Sequence, residues 1–134
     1  MADACPACGK AAGPHPAGRC GPCQRAFKKR QDERKWARSI EAKYGITADD
    51  YRKLYEHQGG KCALCQRATG ASKRLAVDHD HKTKEVAGLV CGPCNREVLG
   101  FRSLRDPAYF QRGVDYLNNP PARQLGIARP GQTK

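Results

Sequence analysis

Two stretches of this 134-residue chain carry side chains suited to hydrolytic chemistry: Val77-Asp78-His79-Asp80-His81, and Asn95 directly behind a C-x2-C pair. Asp78 and Asn95 offer hard oxygen ligands, which suit Mg²⁺. That ion keeps several waters and needs only one or two protein ligands beside phosphate oxygens, where it stabilises charge developing at phosphorus. His79 brings an imidazole, the side chain most often used as a general base, and is competent to activate an attacking water. The chemistry implied is metal-assisted phosphodiester hydrolysis. Plainer roles stand beside these: Asp80 can turn the chain through a side-chain to backbone bond, and His81 can simply support the hairpin.

Something must bring these groups together, and the eight cysteines are the evident device. They fall as four C-x2-C pairs: Cys5 and Cys8, Cys20 and Cys23, Cys62 and Cys65, Cys91 and Cys94. The last two pairs, 25 residues apart, supply four thiolates for a closed tetrahedral zinc, a structural site with no open position. The first two pairs, 11 residues apart, repeat the arrangement for a second zinc, with His15 in the gap as a conceivable substitute ligand. Cys20-Gly-Pro-Cys-Gln-Arg matches Cys91-Gly-Pro-Cys-Asn-Arg, so the two halves look related, with Gln24 where the second copy has Asn95. The CGPC tetrapeptide also occurs in dithiol redox sites. Each copy has an upstream C-x2-C to share a metal, which favours zinc. A disulfide framework would need an oxidising compartment. The N-terminus MADACPACGK has no apolar stretch resembling a signal sequence, so a cytoplasmic protein is expected.

The connecting elements follow from local pattern. Residues 24–43 lack Gly and Pro, and Trp36, Ile40 and Tyr44 recur every fourth residue, which predicts a charged helix with a narrow apolar stripe. Thr47 with Asp50 three residues on predicts a helix start, followed by Tyr51, Leu54 and Tyr55 on one face, and Gly59-Gly60 as terminator. His57 in its last turn reads as a favourable charge at a helix C-terminus. Leu75–Val77 and Val86–Val90 predict a hairpin running into Cys91, with a helix starting near Asn95. A zinc clamp at the hairpin base would bring Asp78 and Asn95 close. Asp106-Pro107 predicts a last helix with Phe110, Val114 and Leu117 on one face, stopped by Asn118 to Pro121.

With 39% hydrophobic and 7% aromatic residues the chain cannot build a deep core from side-chain packing alone. Its net charge of +12 calls for a polyanionic partner. Residues 24–43 hold eight basic and three acidic side chains, either a phosphate-tracking face or a solvated connecting helix. No apolar run approaches the ~18 residues of a membrane helix.

The pieces Tyr44-Gly-Ile-Thr, Tyr51 to Tyr55, Gly59-Gly-Lys-Cys-Ala-Leu-Cys, Val77-Asp-His-Asp-His, Gly88-Leu-Val-Cys-Gly-Pro-Cys-Asn and Leu99-Gly together resemble the phage recombination endonuclease VII group of His-Asn-His (HNH) nucleases, from about Tyr44 to Leu117. The resemblance implies that Asp78 and Asn95 hold a catalytic divalent ion, His79 activates water, His81 contacts or polarises the scissile phosphate, and Cys62, Cys65, Cys91 and Cys94 bind zinc. It also implies DNA as substrate, a possible homodimer and, if phage-encoded, the host cell cytoplasm. Two features depart from the family pattern: one residue more between Asn95 and Leu99-Gly100, and the cysteine-rich N-terminal extension.

The expected fold class is a small α+β zinc protein, with a ββα-metal (treble-clef-like) nuclease core, flanking helices and an N-terminal zinc knuckle module. The expected division is a four-cysteine zinc module over 1–23, a basic linker helix over 24–43, the nuclease domain over 44–118 and a basic, disordered tail over 119–134. The competing expectation is a non-catalytic zinc-finger module that binds nucleic acid. It accounts for zinc and charge but leaves Asp78, His79 and Asn95 without a purpose.

Overall fold

The computed structural model describes residues 4–100 and 105–126. Helix α1, Gly21–Tyr44, begins inside the first CGPC: Cys20 is its extended N-cap, Pro22 lies in its first turn, and Gly45 ends it at φ 71° with its N–H on the Glu41 carbonyl. Helix α2, Ala48–His57, opens with the expected capping box, since Thr47 accepts from the Asp50 N–H while the Asp50 carboxylate accepts from the Thr47 N–H at 2.9 Å. Strands β1, Ala76–His79, and β2, Val86–Val90, pair antiparallel as a two-stranded sheet. Their register sets Val77 against Leu89 and Asp78 against Gly88, with a bulge between Asp78 and His79. Strand β1 thus starts one residue later and runs two residues further than the sequence pattern predicts, because pairing with β2 continues past the apolar run.

The second CGPC also opens a helix, three residues ahead of the expected start near Asn95, and from Cys94 to Leu99 it is a π-helix. A π turn accommodates one residue more than an α turn. Leu99, at its end, packs against the core. Gly100 is required sterically: a Cβ at that position would lie 2.8 Å from the Asn95 carbonyl oxygen and 2.9 Å from that of Arg96. Helix α3, Pro107–Asn118, is N-capped by Asp106, whose carboxylate accepts from the Ala108 N–H at 2.9 Å. Its Val114 and Leu117, expected on one face with Phe110, are 50% and 77% exposed. A helical turn, α4, covers Pro121–Gln124, within the stretch expected to be disordered; the rest of that tail, 127–134, lies outside the described residues.

The core gathers around the C-terminal cysteines: Ile40, Tyr51, Cys62, Leu75, Val77, Leu89, Val90 and Cys94 are buried together, with Trp36, Tyr44 and Leu54 packed against them. Trp36 meets Tyr51 edge-on at 5.0 Å, and the Tyr51 hydroxyl donates to the Leu75 carbonyl at 2.7 Å. Cys5 is buried outside this cluster, so the N-terminal module has cysteines where a core would be.

Gln58, the C-cap of α2, serves β2 as a substitute strand. Its amide accepts from the Leu89 N–H at 2.9 Å and donates to the Leu89 and Lys61 carbonyls at 2.8 and 3.0 Å. With about 1 kcal/mol net per hydrogen bond, Gln58→Ala is expected to lower the unfolding free energy of the zinc-loaded protein by about 2–3 kcal/mol. The urea midpoint at constant m-value measures it, and a midpoint equal to wild type would show that the substitute strand contributes nothing.

Candidate active site and metal centres

Each set of four sulfurs, Cys5/Cys8/Cys20/Cys23 and Cys62/Cys65/Cys91/Cys94, lies within 4.8 Å of one another. Local backbone geometry does this twice in the same way. In the first set the Cys5 carbonyl accepts from the Gly9 N–H at 2.8 Å, and the Cys5 N–H donates to the Lys10 carbonyl at 2.6 Å. In the second the Cys62 carbonyl accepts from Gln66 at 3.1 Å, and the Cys62 N–H donates to the Ala68 carbonyl at 2.7 Å. Both CGPC segments then close a first helical turn, Gln24 N–H to Cys20 carbonyl and Asn95 N–H to Cys91 carbonyl, each at 2.9 Å. The two halves are the same unit, and His15 belongs to neither set.

The thiol chemistry repeats as well. Backbone N–H groups of Cys20 and then Ala7 stabilise the Cys5 thiolate and lower its pKa to about 6. Those of Ala68 and then Arg67 do the same for Cys65, also to about 6. In each set one thiol is pushed up to about 12. For Cys23 the cause is hydrogen bonding to the Cys8 and Cys20 sulfurs, and for Cys94 burial followed by the Cys91 sulfur. Those thiols hold a proton that neighbouring sulfurs share, and a divalent ion must displace it to bind all four. The sulfur separations, the N–H···S bonds and the thiolate-prone members fit zinc at both sets.

At the other end of the hairpin, Asp78 is 5% exposed and ion-paired with Arg105, whose side chain is mostly buried. A buried carboxylate demands a cation, so its surroundings already suit positive charge. The bulge re-aims the next residue. The His79 ring packs 5.4 Å from Tyr44 of α1 and 5.1 Å from His81, so Asp78, His79 and His81 are gathered at the end of β1. Asn95 is half-buried in the first turn of the helix after Cys91, and among the described residues its side chain makes no hydrogen bond to those three. Asp80 turns the chain as its plainer reading holds: its carboxylate accepts from the Lys82 and Thr83 N–H groups at 2.7 and 2.9 Å. The Thr83 bond and then the Lys82 bond hold its pKa below the usual carboxylate range. In the N-terminal unit Gln24 occupies the place of Asn95, and its side-chain oxygen is buried without a hydrogen-bond partner among the described residues. Arg105 is the site residue that sequence reasoning missed; one arginine among 25 Lys and Arg gives no local signal.

The family model for recombination endonuclease VII matches residues 37–119. The chain belongs to the recombination endonuclease VII family. It is 48% identical over 112 residues to the Gene 59 protein of Mycobacterium phage L5, covering 83% of this chain and 67% of that one. The Gene 59 protein of Mycobacterium phage D29 is 49% identical over the same length and shares. No solved structure matches. Membership makes the chain a nuclease with DNA as its substrate and a divalent cation as its expected catalytic cofactor. No helix among the described residues is long and apolar enough to cross a membrane.

Zinc-bound cysteines are thiolates, so acid competes with the metal. For Cys5 and Cys65, depressed from 9.0 to about 6, the stabilisation is fully present above pH 9 and is lost as pH falls through about 6. The protein is expected to hold two zinc equivalents at neutral pH, one per four-cysteine set, and to release them to a chromogenic chelator as the pH drops through about 6. Cys8→Ser should lose one equivalent and keep the cooperative melt of the core, whereas Cys91→Ser should lose one equivalent together with the melt.

Proposed function

We propose that the chain is an HNH endonuclease that hydrolyses DNA phosphodiesters by a one-metal mechanism, leaving 5′-phosphate and 3′-hydroxyl ends. The supporting observation is the buried Asp78 carboxylate at the strand end, followed across a bulge by a histidine whose ring is held between Tyr44 and His81. Asp78 and Asn95 would hold Mg²⁺, which supplies charge stabilisation to the phosphorane-like transition state. His79 takes the proton of the attacking water, and its packed ring restricts the directions from which that water is reached. His81, exposed beside it, contacts the scissile phosphate. The core of this reading is a ββα-metal unit formed by β1, β2 and the helix from Gly92. The organisation we favour is a zinc module over 1–23, a basic linker helix over 24–43, the nuclease domain over 44–118 and a basic tail over 119–134.

The N-terminal unit, a copy of the zinc clamp without an Asp-His pair, acts in this reading as a DNA-docking or structural module. The exposed apolar side chains of α3, Tyr109, Val114 and Leu117, support a homodimer with two sites on opposite strands. Host-cell cytoplasm is the corresponding location, in keeping with the phage origin of the relatives.

The test compares wild type, His79→Ala and Asn95→Ala on supercoiled plasmid and on a synthetic four-way junction, with and without Mg²⁺. Wild type is expected to cut only with the metal. His79→Ala should fall by about 10²–10⁴-fold, as for removal of a general base, and Asn95→Ala should be inert. Equal cutting by His79→Ala overturns the mechanism. Binding without cutting by any of the three makes the chain a zinc-finger module that binds nucleic acid. Arg105 shares Asp78 with any bound cation, so Arg105→Ala is expected to tighten Mn²⁺ binding to the DNA-free protein by about tenfold, on the order of one charge-assisted hydrogen bond. Titration of free Mn²⁺ by electron paramagnetic resonance reads it, and unchanged affinity would remove Asp78 from the metal site.

A further inference from the structure

Between the second zinc knuckle and β1 the chain forms a loop that encloses, with the start of the following helix, a cleft of about 410 Å³. Four cations line it, Arg67, Lys73, Arg74 and Arg96, and no carboxylate among the described residues does. The loop is tied in place from beneath: the Tyr55 hydroxyl donates to the Thr69 carbonyl at 2.7 Å, and the Cys62 N–H donates to the Ala68 carbonyl at 2.7 Å. Arg74 is held with its guanidinium 4.0 Å over the Trp36 ring and paired with Glu33. Arg67, Lys73 and Arg96 have no ion-pair partner among the described residues. Arg74 also lines a neighbouring cleft of about 340 Å³ together with Arg25, Lys28, Lys29, Asp32 and Glu33 of α1, four cations against two carboxylates.

Unpaired cations converging on a concave surface repel one another, and a phosphate backbone relieves that repulsion while releasing its counterions. The cleft reaches Leu75, three residues before Asp78 along the strand direction. At about 3.3 Å per residue that is about 10 Å from the hairpin end. We propose that this cleft is a second phosphate-binding site for the DNA substrate, holding the backbone beside the bond that is cut. This rests on the nuclease reading, which fixes the cut at Asp78 and His79. The competing explanation is internal: Cys91 lines the same cleft, and the cations would then only offset the negative charge of four zinc-bound thiolates.

The decisive measurement is fluorescence anisotropy of a labelled duplex with the zinc-loaded protein, without magnesium, across a salt series. Each phosphate contact contributes about 0.9 to the slope of log K against log salt. The triple variant Arg67→Ala/Lys73→Ala/Arg96→Ala is expected to bind more weakly at every salt concentration, with a slope shallower by about 2–3, and to retain both zinc ions. Lys73→Gln, a single change at an exposed side chain, should lose about 0.9 and serves if the triple variant folds poorly. A wild-type slope in either zinc-loaded variant overturns the proposal, as does loss of zinc with an unchanged slope in Lys73→Gln, the signature of charge compensation. Wild type that shows the full slope but cuts no DNA with magnesium leaves the cleft standing and ends the nuclease reading. A variant that cuts with a wild-type slope does the reverse.

Discussion

The four sulfurs at the base of the hairpin are the constraint on which the rest of the molecule depends. The Cys62 sulfur accepts the Cys91 N–H at 3.3 Å, so the knuckle that follows α2 is bonded to the end of β2 before any metal is considered. Zinc at that point joins three things the chain would otherwise keep apart: the loop after α2, the hairpin, and the helix that carries Asn95. Buried apolar side chains fill the space around the clamp, with Leu89 fully enclosed and Ile40 and Tyr51 closing over it from α1 and α2. Packing of this extent finishes a fold that metal binding begins.

The same device appears twice, with different outcomes. In both units a CGPC segment caps and opens a helix, and the first cysteine of the set takes part in the same backbone hydrogen bonds. The first unit extends directly into the long α1, whose surface is basic, and has 11 residues between its cysteine pairs. The second places 25 residues there, enough for a hairpin whose far end holds a buried carboxylate and two histidine rings. One zinc-clamped unit is thus a bare joint and the other a joint with a hairpin built into its insertion. Gln24, at the position of Asn95 with its side-chain oxygen buried and unpartnered among the described residues, marks how closely the first unit follows the second.

Charge is organised along the same lines. The net +12 is not spread evenly: acidic side chains appear where they do local work, Asp50 and Asp106 as helix caps, Asp80 in the hairpin turn and Glu33 holding Arg74. Asp78 alone among them is buried, and its counter-charge comes from Arg105, far along the chain. Arg67, Lys73 and Arg96, which have no ion-pair partner among the described residues, collect in the cleft beside the zinc clamp. A DNA nuclease needs both arrangements, a fixed negative group to hold a metal and loose positive ones to hold the backbone.

What the sequence by itself determined is local in its physics. C-x2-C pairing, the Thr47–Asp50 cap, the Asp106-Pro107 start and the Asp-His pair at a strand end each depend on residues within a few positions, whose spacing is set by covalent geometry. For the same reason the helix starts and strand ends were legible to within a few residues. The tertiary structure alone decided the rest. Asp78 meets Arg105 across 27 residues and Gln58 meets Leu89 across 31, and no periodicity records such pairings. The π-helical turn from Cys94 to Leu99 has no signature in the local pattern, and Leu99 at its end packs against the core. The cleft of Arg67, Lys73 and Arg96 exists only because the zinc clamp folds a loop against a helix that begins about twenty residues later. Through-space proximity made those features, and a linear pattern carries proximity only where the chain is short.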